Sequence, residues 1–159
     1  MSNLLIREGR TAEILLVEDN SGDAKLASMA FKDAKIDNHL VIARTGEQAM
    51  AILSGEAEHA ETFSGPGKLP DIILLDLNLP KMSGREVLET VKADPRLMHI
   101  PVIILSSSLD EQDIAKSYNL HATAYIIKPL DLEKFRDVVS TIEQFFFFLA
   151  VLPDADFAA

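Results

Sequence analysis

At 159 residues and 17.5 kDa, 48% hydrophobic and 25% charged, the chain has the size and balance of a single domain with a full core. A formal charge of −10 argues against nucleic-acid contact, which needs a basic face. The absence of cysteine excludes disulfides and thiolate metal sites, the longest strongly apolar run (145–152) is too short to span a bilayer, and the start, with Arg7, Glu8 and Arg10, lacks the apolar stretch of a signal peptide. A cytoplasmic protein without nucleic-acid or membrane partners is expected.

Residues 1–12 show no period and read as a tail. Glu13-Ile14-Leu15-Leu16-Val17 reads as a buried strand running into Glu18-Asp19-Asn20. Asn20 or Ser21 can cap the helix that carries Ala24, Leu26, Ala27, Ala30 and Phe31. His39-Leu40-Val41-Ile42-Ala43 is a second strand, and Gly46 to Leu53 a short helix with Ala49, Ile52 and Leu53 at helical spacing. Residues 54–70 hold Gly55, Gly65, Pro66, Gly67 and Pro70 among polar neighbours and read as a mobile loop.

Asp71-Ile72-Ile73-Leu74-Leu75-Asp76 follows. Four consecutive apolar residues, two of them β-branched, suit a central strand covered on both faces. That strand ends in a carboxylate. Ser83 can cap a helix through Val87, Leu88 and Val91, stopped by Asp94-Pro95. Pro101-Val102-Ile103-Ile104-Leu105 is a fourth strand ending in Ser106-Ser107-Ser108, followed by a weaker helix over Gln112–Tyr118. Ala124-Tyr125-Ile126-Ile127 is a fifth, ending in Lys128-Pro129, and a last helix is expected from Asp131 to Leu149.

Regular alternation of strand and helix predicts a doubly wound, five-stranded parallel sheet with helices on both faces, over residues 13–149, with 150–159 as a second tail. Right-handed crossovers put all the strand ends on one rim. Glu18, Asp19, Asp76, Ser106 and Lys128 stand at those ends. Taken singly, each is an ordinary strand-end or helix-start residue. Together they offer acidic oxygens for a hard divalent cation, most simply Mg²⁺, a carboxylate nucleophile, and a lysine and hydroxyl for phosphoryl oxygens. Those are the parts needed to form an aspartyl phosphate.

The chain resembles a receiver domain of two-component response regulators, with the flavodoxin-like fold of that family. The resemblance rests on Ile14-Leu15-Leu16-Val17-Glu18-Asp19-Asn20, Asp76-Leu77-Asn78-Leu79-Pro80-Lys81-Met82-Ser83-Gly84, Pro101-Val102-Ile103-Ile104-Leu105-Ser106-Ser107 and Tyr125-Ile126-Ile127-Lys128-Pro129. It implies that Asp76 is the phosphoacceptor and that Asp19 and Asp76 ligate the metal directly. Glu18 is implied to act on it through water and Asn78 through its backbone carbonyl. Ser106 is implied as the switch hydroxyl, Tyr125 as the aromatic whose rotamer follows it, and Lys128 as the phosphate-pairing lysine before a cis Pro129 bond. The departures are Glu18 for the commoner Asp and Ser106 for the commoner Thr.

No length remains after the last helix for an effector domain, so a stand-alone regulator is expected, signalling by protein contact. A phosphorylation-independent scaffold or dimerisation module is the alternative. Phe147 and Phe148 fall over polar-face positions of the last helix and would form an apolar patch for a partner, with a homodimer through this side of the chain expected. The start at Asn20-Ser21-Gly22-Asp23, the long loop before the central strand and the aromatic tail are similar to the small regulators paired with phytochrome histidine kinases of cyanobacteria. Those form dimers through the C-terminal side. A haloacid-dehalogenase-like hydrolase would need a second Asp at position 78, where Asn78 stands. A flavodoxin-like module would need a phosphate loop where Glu18 and Asp19 would repel it.

Overall fold

The computed structural model describes residues 11–55, 63, 69–128 and 130–151, with the backbone alone at 111 and 145–151. In chain order its elements are β1 (Ala12–Val17), α1 (Ser21–Lys32), β2 (Asn38–Ala43), α2 (Gly46–Ser54), β3 (Ile72–Asp76), α3 (Gly84–Ala93), β4 (Val102–Ser106), α4 (Glu111–Asn119), β5 (Ala124–Ile127) and α5 (Leu132–Val151). The five strands form one sheet in the order β2-β1-β3-β4-β5, and every neighbouring pair is parallel. The expected α/β architecture is what the chain adopts, with element ends within a residue or two of those read from the pattern.

The period-2 alternation of a strand explains both cores. Leu15 and Val17 of β1, Ile73 and Leu75 of β3 and Val102 and Ile104 of β4 pack with α2 and α3, against Ala49, Ile52, Val87 and Leu88. Ile14 and Leu16, Ile72 and Leu74, and Ile103 and Leu105 face the opposite way, onto Ala27 and Phe31 of α1 and Phe135 and Val139 of α5. β1, β3 and β4 are buried along their whole length, as the uninterrupted apolar runs require. The outer strands β2 and β5 are half-buried.

The helix starts are chemically marked. Asn20, rather than Ser21, is the N-cap of α1, its Oδ1 accepting from the Asp23 N–H at 2.8 Å. Ser83 and Glu86 form a full capping box on α3. α4 is the weakly held helix: Ser117 is its one buried residue in that segment among those with described side chains.

The stretch 54–70 departs from the expectation of a mobile loop at the positions described. Phe63 is 2% exposed and Leu69 9%, and both join the α2–α3 core. The Phe63 ring meets His39 edge-on at 6.2 Å. An isolated aromatic among glycines and prolines has no period to announce its burial.

Candidate functional site

Strand order reverses between β1 and β3, the crevice where ligands of doubly wound sheets bind. Register then decides which strand-end side chains meet. Val17 of β1 is level with Leu75, Asp76 with Leu105, and Ser106 with Ile127. Glu18, Asp76 and Lys128 each continue the alternation of residues on the α1–α5 side: Ile14 and Leu16, Ile72 and Leu74, Ala124 and Ile126. Ser106 and Tyr125 have the other parity, that of Ile104 and of the α2–α3 side, against which Tyr125 packs.

The outcome is an acidic knot around one lysine. The Lys128 ammonium donates to Glu18 Oε1 at 2.6 Å, Asp23 Oδ2 at 2.9 Å and Asp76 Oδ2 at 3.1 Å. The second oxygens of Glu18 and Asp76 are held by backbone: Asn20 N–H donates to Glu18 Oε2 at 3.2 Å and Asn78 N–H to Asp76 Oδ1 at 2.9 Å. Glu18 and Asp76 are buried, while Asp19 is exposed at the rim. An open cleft of about 550 Å³ lies over them, with Asp19, Asp23, Asp76, Asn78, Ser107 and Lys128 in its wall.

Burial comes first in setting the ionisation of Glu18; with the hydrogen bond to Asp76 and the repulsion from it, it outweighs Lys128 and pushes the Glu18 carboxyl from 4.5 up to about 7. Burial alone would lower the Lys128 ammonium, but its bonds to Glu18 and Asp23 and the charges of Asp76 and Glu18 win and hold it above the ordinary lysine range. Between about pH 4.5 and 7 the folded protein therefore carries a Glu18 proton that the unfolded chain lacks. The metal-free protein is expected to lose stability as pH rises through that window. Thermal melts from pH 5 to 8 check this; the Glu18 share is the part of the slope that Glu18→Gln removes.

One oxygen from each of Glu18, Asp19 and Asp76 lies within 4.8 Å of the others. Three hard oxygen donors with no sulfur or imidazole among them fit a hard divalent cation better than zinc or copper. The two buried acids of the cluster, Glu18 and Asp76, also accept from the Lys128 ammonium. Asn78 is in the cleft wall, where its backbone carbonyl was expected to contribute.

Ser106 is fully buried and does not form part of the cleft wall; Ser107 does. The Ser106 Oγ accepts from the Ser108 N–H at 3.1 Å. Ser108 is the hub of this side: its carbonyl accepts from the Tyr125 hydroxyl at 3.0 Å, and its hydroxyl donates to Asp113 of α4 at 2.7 Å. Asp113 also receives Arg85 of α3 at 3.1 Å. Ser106 and Tyr125 are thus tied through one residue, which also joins α4 to α3. Asp23, Ser107, Ser108 and Asp113 were not singled out by sequence. Asp23 alone had a local signal, an acid in the first turn after a capping Asn20. The Pro129 isomer and the side chains of Phe147 and Phe148 lie outside the described residues.

The family model for the response regulator receiver domain matches residues 14–140. Response regulator Rcp1 of Synechocystis is 42% identical over 142 residues, 89% of this chain and 93% of that protein. Among solved structures, the phosphorylated cyanobacterial phytochrome response regulator RcpA is similar with a TM-score of 0.76 and 44% identity, covering 90% of this chain and 99% of that one. The Mn²⁺-bound form of Rcp1 superimposes with a TM-score of 0.74 and 42% identity, over 89% and 99% of the two chains. A match of this extent, over a sheet whose buried acids and lysine meet at the strand ends, places the chain in the response regulator receiver family.

Proposed function

We propose that this receiver accepts a phosphoryl group on Asp76 from a sensor histidine kinase, with Mg²⁺ as cofactor, and signals by a change in protein contacts. The observation that carries the reading is the single ammonium of Lys128 bound to Glu18, Asp23 and Asp76 beside a cation-sized acid cluster. Asp76 Oδ attacks the phosphorus of a phosphohistidine. The donor ring is protonated on its other nitrogen, so the P–N bond breaks, a neutral imidazole leaves with that proton, and an acyl phosphate forms. Asp19, Asp76 and, through water, Glu18 would hold the cation with the Asn78 carbonyl. Bound there, it supplies charge neutralisation on the phosphoryl oxygens. Lys128 turns from Asp76 to a phosphoryl oxygen, and the Ser106 hydroxyl, an acceptor from the Ser108 N–H, moves to donate to another.

Ser106 is bonded to Ser108, whose carbonyl accepts from Tyr125 and whose hydroxyl donates to Asp113, so a shift of Ser106 strains that chain of bonds. The same step therefore reaches the face made by α4, β5 and α5. The kinase is proposed to be of the phytochrome type, by similarity to the cyanobacterial phytochrome response regulator RcpA, and the protein to work in the cytoplasm. Among the described residues no helix is long and apolar enough to cross a membrane.

The test is intact mass after incubation with acetyl phosphate and Mg²⁺, beside a chelated sample. A single phosphoryl adduct only with metal supports the reading. No adduct here or from a histidine-kinase donor would leave a phosphorylation-independent scaffold or dimerisation module. Output is proposed to involve a homodimer through the end of α5, where Phe147 and Phe148 sit over polar positions in the sequence. Phe147→Lys with Phe148→Lys is expected to weaken self-association at least about tenfold with unchanged phosphorylation. Sedimentation velocity with and without phosphodonor would read it, and an unaltered dimer would move the interface elsewhere.

A further inference from the structure

The lysine at the centre of the site has one more carboxylate than the proposed chemistry uses. An ammonium has three N–H donors, and here they go to Glu18, Asp76 and Asp23. Glu18 and Asp76 belong to the cation-sized cluster; Asp23 does not. Asp23 is more exposed than the other two but is held in place. Its backbone N–H is fixed by the Asn20 cap, and its side chain is only 26% exposed.

We infer that Asp23 is a positioning residue that retains Lys128 at the cleft when a divalent cation takes Glu18 and Asp76 from it, an inference that rests on the reading of the site given above. A dication and an ammonium cannot share the same oxygens without strong repulsion. Cation binding, direct at Asp76 and through water at Glu18, therefore loosens the hold of both carboxylates on Lys128. With Asp23 present, one N–H stays bound to a carboxylate that the cation does not need. The other two then point to the cleft, free for phosphoryl oxygens. Without Asp23, the carboxylates paired with Lys128 in the described structure are the two that the cation requires, so the lysine competes harder for them. The effect of Asp23 on cation affinity thus runs through Lys128 and not merely through its own charge.

The experiment is calorimetric titration of the unphosphorylated full chain with Mg²⁺, using wild type, Asp23→Asn, Lys128→Ala and the double variant, each checked for folding by its thermal melt. Asp23→Asn is expected to weaken Mg²⁺ binding roughly three- to tenfold in the wild-type background. In the Lys128→Ala background the same change should have less than half that effect on a logarithmic scale, the mark of coupling in a double-variant cycle. An equal loss in both backgrounds would mean that Asp23 acts on the cation directly through space, and would overturn the inference. So would an unchanged affinity in Asp23→Asn. A wild-type protein that binds no Mg²⁺ would instead overturn the underlying reading of the site, and the two failures are told apart by the wild-type curve alone.

Discussion

Asp76→Asn is expected to abolish the phosphoryl adduct while leaving the fold intact. An amide oxygen is too weak a nucleophile to displace a phosphorylated imidazole, so transfer should fall below detection rather than merely slow. The change is close to isosteric. Oδ1 can still accept from the Asn78 N–H, and Lys128 keeps Glu18 and Asp23. Removing the Asp76 charge also lifts one of the influences that push the Glu18 carboxyl up to about 7, so Glu18 ionises more readily in the variant. These opposing effects keep the expected stability within about 1 kcal/mol of wild type. Mg²⁺ affinity should drop at least about tenfold, since one of the clustered carboxylates is gone. Intact mass, a Mg²⁺ titration and a melt on the same sample read all of these. An adduct that persists in Asp76→Asn would move the acceptor to another residue.

Gly84→Ala is expected to damage stability and site together. A Cβ on Gly84 would lie 2.1 Å from the Asp76 carbonyl oxygen, 2.6 Å from Leu77 Cα and 2.9 Å from the Asp76 carbonyl carbon. All of these are backbone atoms, so no rotamer change relieves the overlap. The first turn of α3 rests directly on the end of β3, and its N–H at Gly84 donates to the Leu77 carbonyl at 3.0 Å. To fit a methyl group, helix and strand end must separate, which breaks that bond and tilts the peptide that carries Asp76. A loss of roughly 3 kcal/mol or more is expected, at the upper end for overpacking because backbone must move. Gly22→Ala is the control. Its Cβ meets a side-chain atom, Asn20 Oδ1, at 3.2 Å, and the gain in helix propensity offsets much of that crowding. Urea unfolding of both variants checks the difference, and phosphorylation of Gly84→Ala should slow even where it remains folded. Equal stability of Gly84→Ala and wild type would contradict the close approach.

The two expectations differ in how they could be reached. Asp76 announces itself as an acid after a buried apolar run. Gly84 is only one glycine of a turn until the distance to Asp76 is known. The same contrast runs through the molecule. Ile14–Val17, Ile72–Leu75 and Val102–Leu105 are apolar without interruption because both faces of their strands are covered, and that pattern is local enough to read in one dimension. It carried the fold and the strand-end positions of Glu18, Asp76, Ser106 and Lys128. By itself, then, the sequence determined a doubly wound parallel sheet with an acidic and basic rim.

Only the tertiary structure decided how that rim divides. Register and side-chain parity put Glu18, Asp76 and Lys128 together on the α1–α5 side and Ser106 with Tyr125 on the other. The strand-end pattern puts Ser106 on one rim with Glu18, Asp76 and Lys128, but Ser107 and not Ser106 is in the cleft wall. Asp23 meets Lys128 across 105 positions of chain because α1 and the Lys128 side of β5 share one face of the sheet, and Ser108 joins Ser106, Tyr125 and Asp113 because the β4–α4 turn folds back between them. Phe63 is buried through a contact with a strand edge rather than through any period of its own. Hydrophobic periodicity is a property of neighbours in sequence, whereas hydrogen-bond partners at a strand-end crevice are set by how separate elements are stacked and shifted against one another.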